Sequence, residues 1–213
     1  MWAGVIPIVA VADRYCRRYG DNAEHLSWYV VAGELDGDKM AYNARELDRY
    51  LKPNSDTTVV EYLGRGYEPF SDEIQRLFDW MGRRRRTIPK EFECVTMRPW
   101  DNFFWWHEVG DLPEKSMVAP ATWPPSRGAR PFRIRAKILP EVNKVMVYDQ
   151  AGETTVWLGP EIVNFDQPLE VDLNGRRISP ADRFVRPDLG VLLEDARARA
   201  DRVHPYWAKI KSP

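Results

Sequence analysis

The 213-residue sequence has few cysteines, no long apolar run and no excess of charge of either sign. Cys16 and Cys94 are isolated, so they form no Cys-x-x-Cys redox or metal pair and cannot staple a chain of this length. No stretch reaches the roughly 18 apolar residues of a membrane span. The formal net charge of −1 gives no global field that attracts nucleic acid or anionic lipid. We therefore expect no membrane span, no nucleic-acid partner and no cofactor, and the compartment cannot be read from the sequence.

Histidine is also scarce, with three in the chain, and none of them has the spacing of a metal site. The sequence contains no Gly-x-Ser-x-Gly turn, the sharp strand-to-helix turn that presents a nucleophilic serine in one large class of enzymes. The sequence therefore predicts no metal centre, and it offers no serine nucleophile of that kind.

The first part of the chain, up to about Arg83, alternates apolar strand patterns with helical patterns. This alternation is typical of a parallel sheet covered by helices. The expected strands are Ala3–Ala12, His25–Ala32 and Thr57–Leu63. The expected helices are Met40–Leu51 and a helix capped by Ser71, whose buried stripe would be Ile74, Leu77, Phe78 and Met81.

From Phe92 to about Val185 the pattern changes to short strands separated by turns, which predicts a β-sandwich of about six or seven strands. Asn174-Gly175 is the strongest hairpin signal in the chain. A helix over Leu189–Ala200 follows, with Asp188 as its cap and Leu189, Leu192, Leu193 and Ala196 on its apolar face. The expected divisions are 1–83 for the α/β part, 84–90 for a basic linker, 91–187 for the sandwich, and 188–213 for a C-terminal helix and tail.

Two turns at the ends of expected strands carry candidate chemistry. Gly33-Glu34-Leu35-Asp36-Gly37 follows the second strand, where a carboxylate can orient a histidine and stabilise its charged form. Alternatively, Asp36 is an ordinary turn residue before glycine. Gly64-Arg65-Gly66-Tyr67 follows the third strand, where a catalytic loop would offer a general base. A tyrosine phenol, with an ordinary pKa of about 10, does not fill that role near neutral pH, so a structural loop is the alternative.

These segments carry a resemblance to a known family. Trp2–Ile8, Val31–Gly37 and Val60–Phe70 resemble the C-terminal part of α/β-hydrolase serine peptidases and esterases of the prolyl-oligopeptidase and dienelactone-hydrolase-like group. The resemblance covers residues 1 to about 82. Residues 90–210 are similar to a β-rich C-terminal extension on some bacterial members.

The resemblance implies the last three strands of a hydrolase sheet and hydrolysis of a peptide or ester bond through an acyl-enzyme. It makes Asp36 the acid of the triad, and it places Tyr67 at or beside the family histidine. The family's nucleophile and oxyanion hole have no counterpart in these residues. The chain would therefore act on a peptide or ester substrate only if an N-terminal half were supplied, and whether it is itself an enzyme stays open.

Other interpretations remain. His204, in the C-terminal tail, is a candidate substitute base or a plain tail residue. The aromatic cluster of Trp100 and Phe103–Trp106 would hold carbohydrate or protein in a non-catalytic binding module, or it is core packing. An interaction scaffold that has lost its catalytic half is a third reading, and a truncated gene model, a fragment and a natural pseudoenzyme all fit the pattern. The apolar edge of Ala3–Ala12 predicts self-association.

Overall fold

The computed structural model describes residues 3–11, 16–37, 43–44, 48, 56–123, 125 and 128–212. The chain divides into two compact units, residues 1–87 and residues 88–213, called unit 1 and unit 2 below. Each unit is described by itself. None of the helices in the described ranges is both long and apolar enough to cross a membrane.

Unit 1 contains a three-stranded sheet in the order β1-β2-β3, in which both strand pairs are parallel. The parallel sheet predicted from the alternating pattern is therefore confirmed. Its strands are β1 (Gly4–Val5), β2 (Ser27–Gly33) and β3 (Thr57–Tyr62), and its helices include α1 (Cys16–Tyr19) and α2 (Ile74–Arg83), with 3₁₀ turns at Gly20–Ala23 and Ser71–Glu73. Most of the helix expected over Met40–Leu51 lies outside the described residues. Within that range residues 43–44 and 48 are described, and they are helical.

The first strand is shorter than the apolar run suggests. Beyond Val5 the pairing with β2 continues only as an isolated bridge between Ile8 and Val31. The Val31 amide donates to the Pro7 carbonyl at 2.9 Å, and Val9 adopts a positive φ of 47°. A proline and a left-handed residue interrupt the ladder, because neither fits a regular strand.

The buried face of α2 differs from the predicted stripe. Of the four residues expected inside, the sheet buries Leu77 and leaves Ile74, Phe78 and Met81 exposed. Trp80 takes their place and packs edge-on against Tyr29 at 5.7 Å. The prediction was wrong because both sides of this helix carry apolar residues, and periodicity alone does not say which side meets the sheet.

Unit 2 consists of a five-stranded and a four-stranded sheet that contribute side chains to one apolar core. The five-stranded sheet has the order β11-β10-β8-β7-β4, and the four-stranded sheet has the order β12-β9-β6-β5. The expected change to a mostly β part of the chain is confirmed, and the described strands number nine rather than six or seven. Their bounds are β4 (Glu91–Thr96), β5 (Phe103–Phe104), β6 (His107–Gly110), β7 (Phe132–Leu139), β8 (Lys144–Tyr148), β9 (Glu153–Leu158), β10 (Glu170–Leu173), β11 (Arg176–Arg177) and β12 (Ala208–Lys211).

Local turn chemistry predicted two features of unit 2 correctly. Asn174 and Gly175 have positive φ values of 52° and 79° and join β10 to β11 in an antiparallel hairpin. This geometry suits a two-residue turn that needs positive φ at both positions. Helix α3 (Leu189–Arg199) begins after Asp188, whose carboxylate accepts bonds from the amides of Gly190 and Val191.

The expected C-terminal tail is part of the fold. Strand β12 pairs antiparallel with β9, so the segment 188–213 supplies a strand of the four-stranded sheet. The predicted apolar face of α3 is also wrong, since Leu189 and Leu193 are exposed. The helix is held instead by buried Asp195, which binds Arg199 at 2.7 Å and accepts the Tyr206 amide at 3.0 Å.

The basic run after α2 also makes specific contacts. The guanidinium of Arg84 pairs with Asp56 and lies 4.7 Å from the centre of the Trp80 ring. Within the segment expected to be a solvated linker, Arg84 therefore belongs to unit 1.

A buried carboxylate links the two sheets of unit 2. Asp149 follows β8, accepts the Ala151 amide at 3.0 Å and binds the Thr154 hydroxyl through both oxygens. His107 of β6 is fully buried, and its Nε2 lies 2.9 Å from Asp149 Oδ2. Asn174 exchanges bonds with the Asp149 backbone in both directions. One residue thus joins the β8–β9 turn, the β10–β11 hairpin and β6.

We expect Asp149→Ala to destabilise unit 2 by about 3 kcal/mol, because it leaves buried polar partners unsatisfied. Asp182→Ala, at an exposed turn, is the matched control and should cost less than about 0.5 kcal/mol. Urea unfolding of the full chain gives the stability, and hydrogen exchange in β6, β8 and β9 shows that unit 2 is the part that opens. Equal effects of the two substitutions would contradict the role given to Asp149.

We expect the full chain to self-associate through β1, which lies at a sheet edge and has no strand on its outer side among the described residues. Because β1 is short and Pro7 and Val9 interrupt the ladder beyond it, the association should be weak. Sedimentation velocity at micromolar concentration should show species larger than the 24.8 kDa monomer. Residues 88–213, which retain every described strand of unit 2, should sediment as a monomer. A monomeric full chain would rule out association through this edge.

Candidate functional site

Two turns meet where β2 and β3 end. The Glu34 amide donates to the Tyr62 carbonyl at 3.0 Å, and the Leu35 amide donates to the Arg65 carbonyl at 2.8 Å. The Glu34 carboxylate accepts the Gly64 amide at 2.8 Å. The structure therefore brings together the two segments that the sequence singled out, at the carboxyl edge where open α/β sheets place their ligands.

Gly33 makes this close approach possible. A Cβ at this position would lie 2.3 Å from the Arg65 carbonyl oxygen and 2.7 Å from that of Gly66. Both contacts are far inside van der Waals range, and both atoms are backbone, so any side chain would push the two turns apart.

Asp36 sits in the turn between β2 and the residues that follow. Its amide donates to the Gly33 carbonyl at 3.1 Å, and its side chain is partly buried. Gly37 follows with a φ of 73°. The turn is tight, and it holds the carboxylate at the strand end, as expected for either an acid that orients a partner or a turn residue.

Tyr67 lies on the loop after β3 and is 75% exposed. The loop beneath it is fixed by Arg65, which binds both oxygens of Glu68 at 2.6 and 2.8 Å and also pairs with Asp72. These bonds, first of all those to Glu68, raise the pKa of Arg65, and Arg65 in turn lowers the pKa of Glu68.

Arg65 also stacks on the aromatic residues at the base of the loop. Its guanidinium lies 4.7 Å from the Tyr62 ring centre and 4.9 Å from that of Phe70. Those two rings stack at 5.0 Å, and Phe70 has a positive φ of 46°. The loop is thus an ordered platform with an exposed phenol at its tip.

Beneath the loop, Glu73 is fully buried and shared by three donors. It accepts the hydroxyls of Tyr29 at 2.6 Å and Tyr62 at 2.5 Å, and it binds Arg76 at 2.8 Å. Burial by itself would raise the pKa of Glu73, but the hydrogen bonds from these partners hold it below its usual value. Burial together with the bond to Glu73 raises the pKa of Tyr29 to about 12.

Sequence reasoning missed the roles of Arg65 and Glu73. Glu73 lies at the start of α2 and far along the chain from Tyr29, so no local pattern indicates that the two side chains meet. The Arg65-x-x-Glu68 spacing was the one local signal that could have indicated a fixed loop.

His204 lies in unit 2. Its Nδ1 is 2.7 Å from Glu161 Oε2, and its side chain is largely buried. Its role as a substitute for the missing histidine base stays a hypothesis, because His204 and the Asp36 turn belong to different units.

The aromatic cluster is mostly core. Phe104, Trp105 and Trp106 are buried, and Trp106 packs edge-on against Phe92 at 5.2 Å. Trp100 is the exception, at 59% exposed. These rings therefore offer no continuous stacking surface.

Within the described ranges, no group of three or more histidine, cysteine or acidic residues has an arrangement suited to a metal ion. Comparisons of this chain with protein-family models, with curated proteins and with solved structures found no match. The function is therefore argued from geometry.

We expect Glu73→Gln to destabilise unit 1 by about 2 kcal/mol at pH 7, since it removes charge-assisted bonds in a buried site. The folded-state pKa of Glu73 lies below its ordinary value. The stabilisation is therefore complete above about pH 4.3 and is lost as pH falls through the lower folded pKa. The stability gap between wild type and Glu73→Gln should narrow in that acidic range.

Urea unfolding between pH 7 and pH 2 measures this gap. The matched control is Glu61→Gln, at an exposed position of β3, which should change stability by less than about 0.5 kcal/mol at any pH. If the difference in stability between wild type and Glu73→Gln stayed constant across this pH range, the negative charge of Glu73 would not be what the tyrosine hydroxyls stabilise.

Proposed function

We propose that unit 1 is the acid-bearing C-terminal portion of an α/β-hydrolase serine peptidase or esterase. One observation carries the proposal: three parallel strands in sequential order set the Asp36 turn against the loop after β3, with the Leu35 amide 2.8 Å from the Arg65 carbonyl oxygen. In a hydrolase triad, an acid at one strand end orients a base on the next loop.

In this proposal Asp36 is the acid, and the loop from Gly64 to Phe70 is the platform for the base. Position 67 holds a tyrosine, and the sequence offers no Gly-x-Ser-x-Gly nucleophile. The chain alone therefore does not form an acyl-enzyme. A peptide or ester would be turned over only together with a segment that supplies the nucleophile and a competent base.

The alternative of a binding module built on the Trp100 and Phe103–Trp106 cluster receives less support, because three of those rings lie in the core of unit 2. Buried rings stabilise a fold and are not available to stack on a ligand.

The isolated chain should show no covalent labelling by a fluorophosphonate probe and no hydrolysis of p-nitrophenyl esters above the buffer rate. Intact-protein mass spectrometry reads the labelling, with a known serine esterase as positive control. A labelled serine would show that this chain does carry a nucleophile, and it would overturn this part of the proposal.

The genomic DNA upstream of the Met1 codon tests the family directly. An in-frame Gly-x-Ser-x-Gly there would support the proposal. In a longer protein with measurable activity, Asp36→Asn should lower kcat by about 10⁴-fold. Glu34→Gln is the matched control, because an amide oxygen still accepts the Gly64 amide, and it should leave kcat nearly unchanged. Equal losses would mean that the turn acts only structurally.

A further inference from the structure

Unit 2 carries a groove that is separate from the turns at the end of the parallel sheet. Its volume is about 720 Å³, within the range of small-molecule sites. It is bounded by the loop 160–166 after β9, by Pro140 and Asn143 after β7, by residues 185–187, and by Trp207 just before β12. It is open on one side, which suits a ligand that remains partly solvated.

Two aromatic rings form one wall of the groove. Phe165 and Trp207 stack with their centroids 5.9 Å apart and their planes 18° apart. Trp207 is 36% exposed, so part of the indole remains accessible. Both backbone groups of Trp207 are bonded: its amide donates to the Leu158 carbonyl at 2.8 Å, and its carbonyl accepts the Asp188 amide at 2.7 Å.

Charged groups of both signs line the same groove. Glu161, Asp166 and Arg186 line the groove. The Glu161 carboxylate is oriented by His204, whose Nδ1 lies 2.7 Å from its Oε2. Acceptors and donors therefore flank an apolar ring face.

Asn143 holds the wall in place. Its side-chain amide lies within hydrogen-bonding distance of the carbonyls of Asn164, Gln167 and Pro168, and its side-chain oxygen accepts the Asn164 amide at 2.9 Å. Asn143 is buried, so these bonds are shielded from water. A wall fixed before binding loses little entropy on binding.

We propose that this groove binds an oligosaccharide. A pyranose ring presents an apolar C–H face to an indole and hydroxyl groups to carboxylates and a guanidinium. The hydroxyl groups of a sugar can donate to the carboxylates of Glu161 and Asp166 and accept from the guanidinium of Arg186, so a neutral polyol can use all three. The proposal is independent of the hydrolase assignment, because every residue it uses lies in unit 2.

Isothermal titration of the full chain with cellohexaose, xylohexaose, mannohexaose and chitohexaose tests the proposal. At least one should bind, and Trp207→Ala should weaken that binding at least tenfold. Trp100→Ala is the matched control, since it removes an exposed tryptophan outside the groove and should leave the affinity unchanged. Asp166→Ala, at an exposed position, should weaken binding severalfold without loss of fold.

Trp207→Phe retains an aromatic face and should bind more tightly than Trp207→Ala, which separates lost stacking from lost folding. Failure of all four saccharides to bind would overturn the proposal. Wild-type affinity in both Trp207→Ala and Asp166→Ala would also overturn it. A decaproline peptide that bound where the saccharides did not would identify the groove as a peptide site instead.

Discussion

The buried carboxylate of Glu73 is the group on which the candidate site of unit 1 depends. It connects β2 through Tyr29, β3 through Tyr62 and α2 through Arg76. A buried charge is tolerated only when its oxygens are fully bonded, so these three elements are locked in one arrangement. The loop from Gly64 to Phe70 spans the gap between Tyr62 and Glu73, and its ends are therefore fixed before its own contacts are counted.

Unit 2 applies the same principle with Asp149. Asp149 lies just beyond a strand and Glu73 lies at the start of a helix. Each carboxylate accepts hydroxyl groups from neighbouring segments and so connects them. The two networks differ in what lies above them. Asp149, His107 and Thr154 are all buried. The Glu73 network lies under a loop whose tip is exposed. Glu73 itself is fully buried, so this network presents its overlying loop to solvent and not its carboxylate.

The sequence predicted those features that depend on neighbouring residues. The Asn174-Gly175 hairpin and the Asp188 cap follow from positive φ and from free helix amides, both of which are local. The parallel sheet followed from continuous apolar runs and helical spacing. The predictions of the buried stripe of α2 and of the apolar face of α3 were wrong, because burial depends on what packs against a helix. Glu73 and Asp195 were missed because a buried carboxylate and an exposed one look alike until their distant partners are known.

Several contacts fix the shape of the loop after β3. Gly33 lets the turns touch, Arg65 binds Glu68 and Asp72, and the Tyr62 and Phe70 rings support Arg65 from below. These contacts are made by residues other than Tyr67, which is 75% exposed. The shape of the loop therefore follows from contacts that lie between Tyr62 and Asp72, together with the close approach that Gly33 allows.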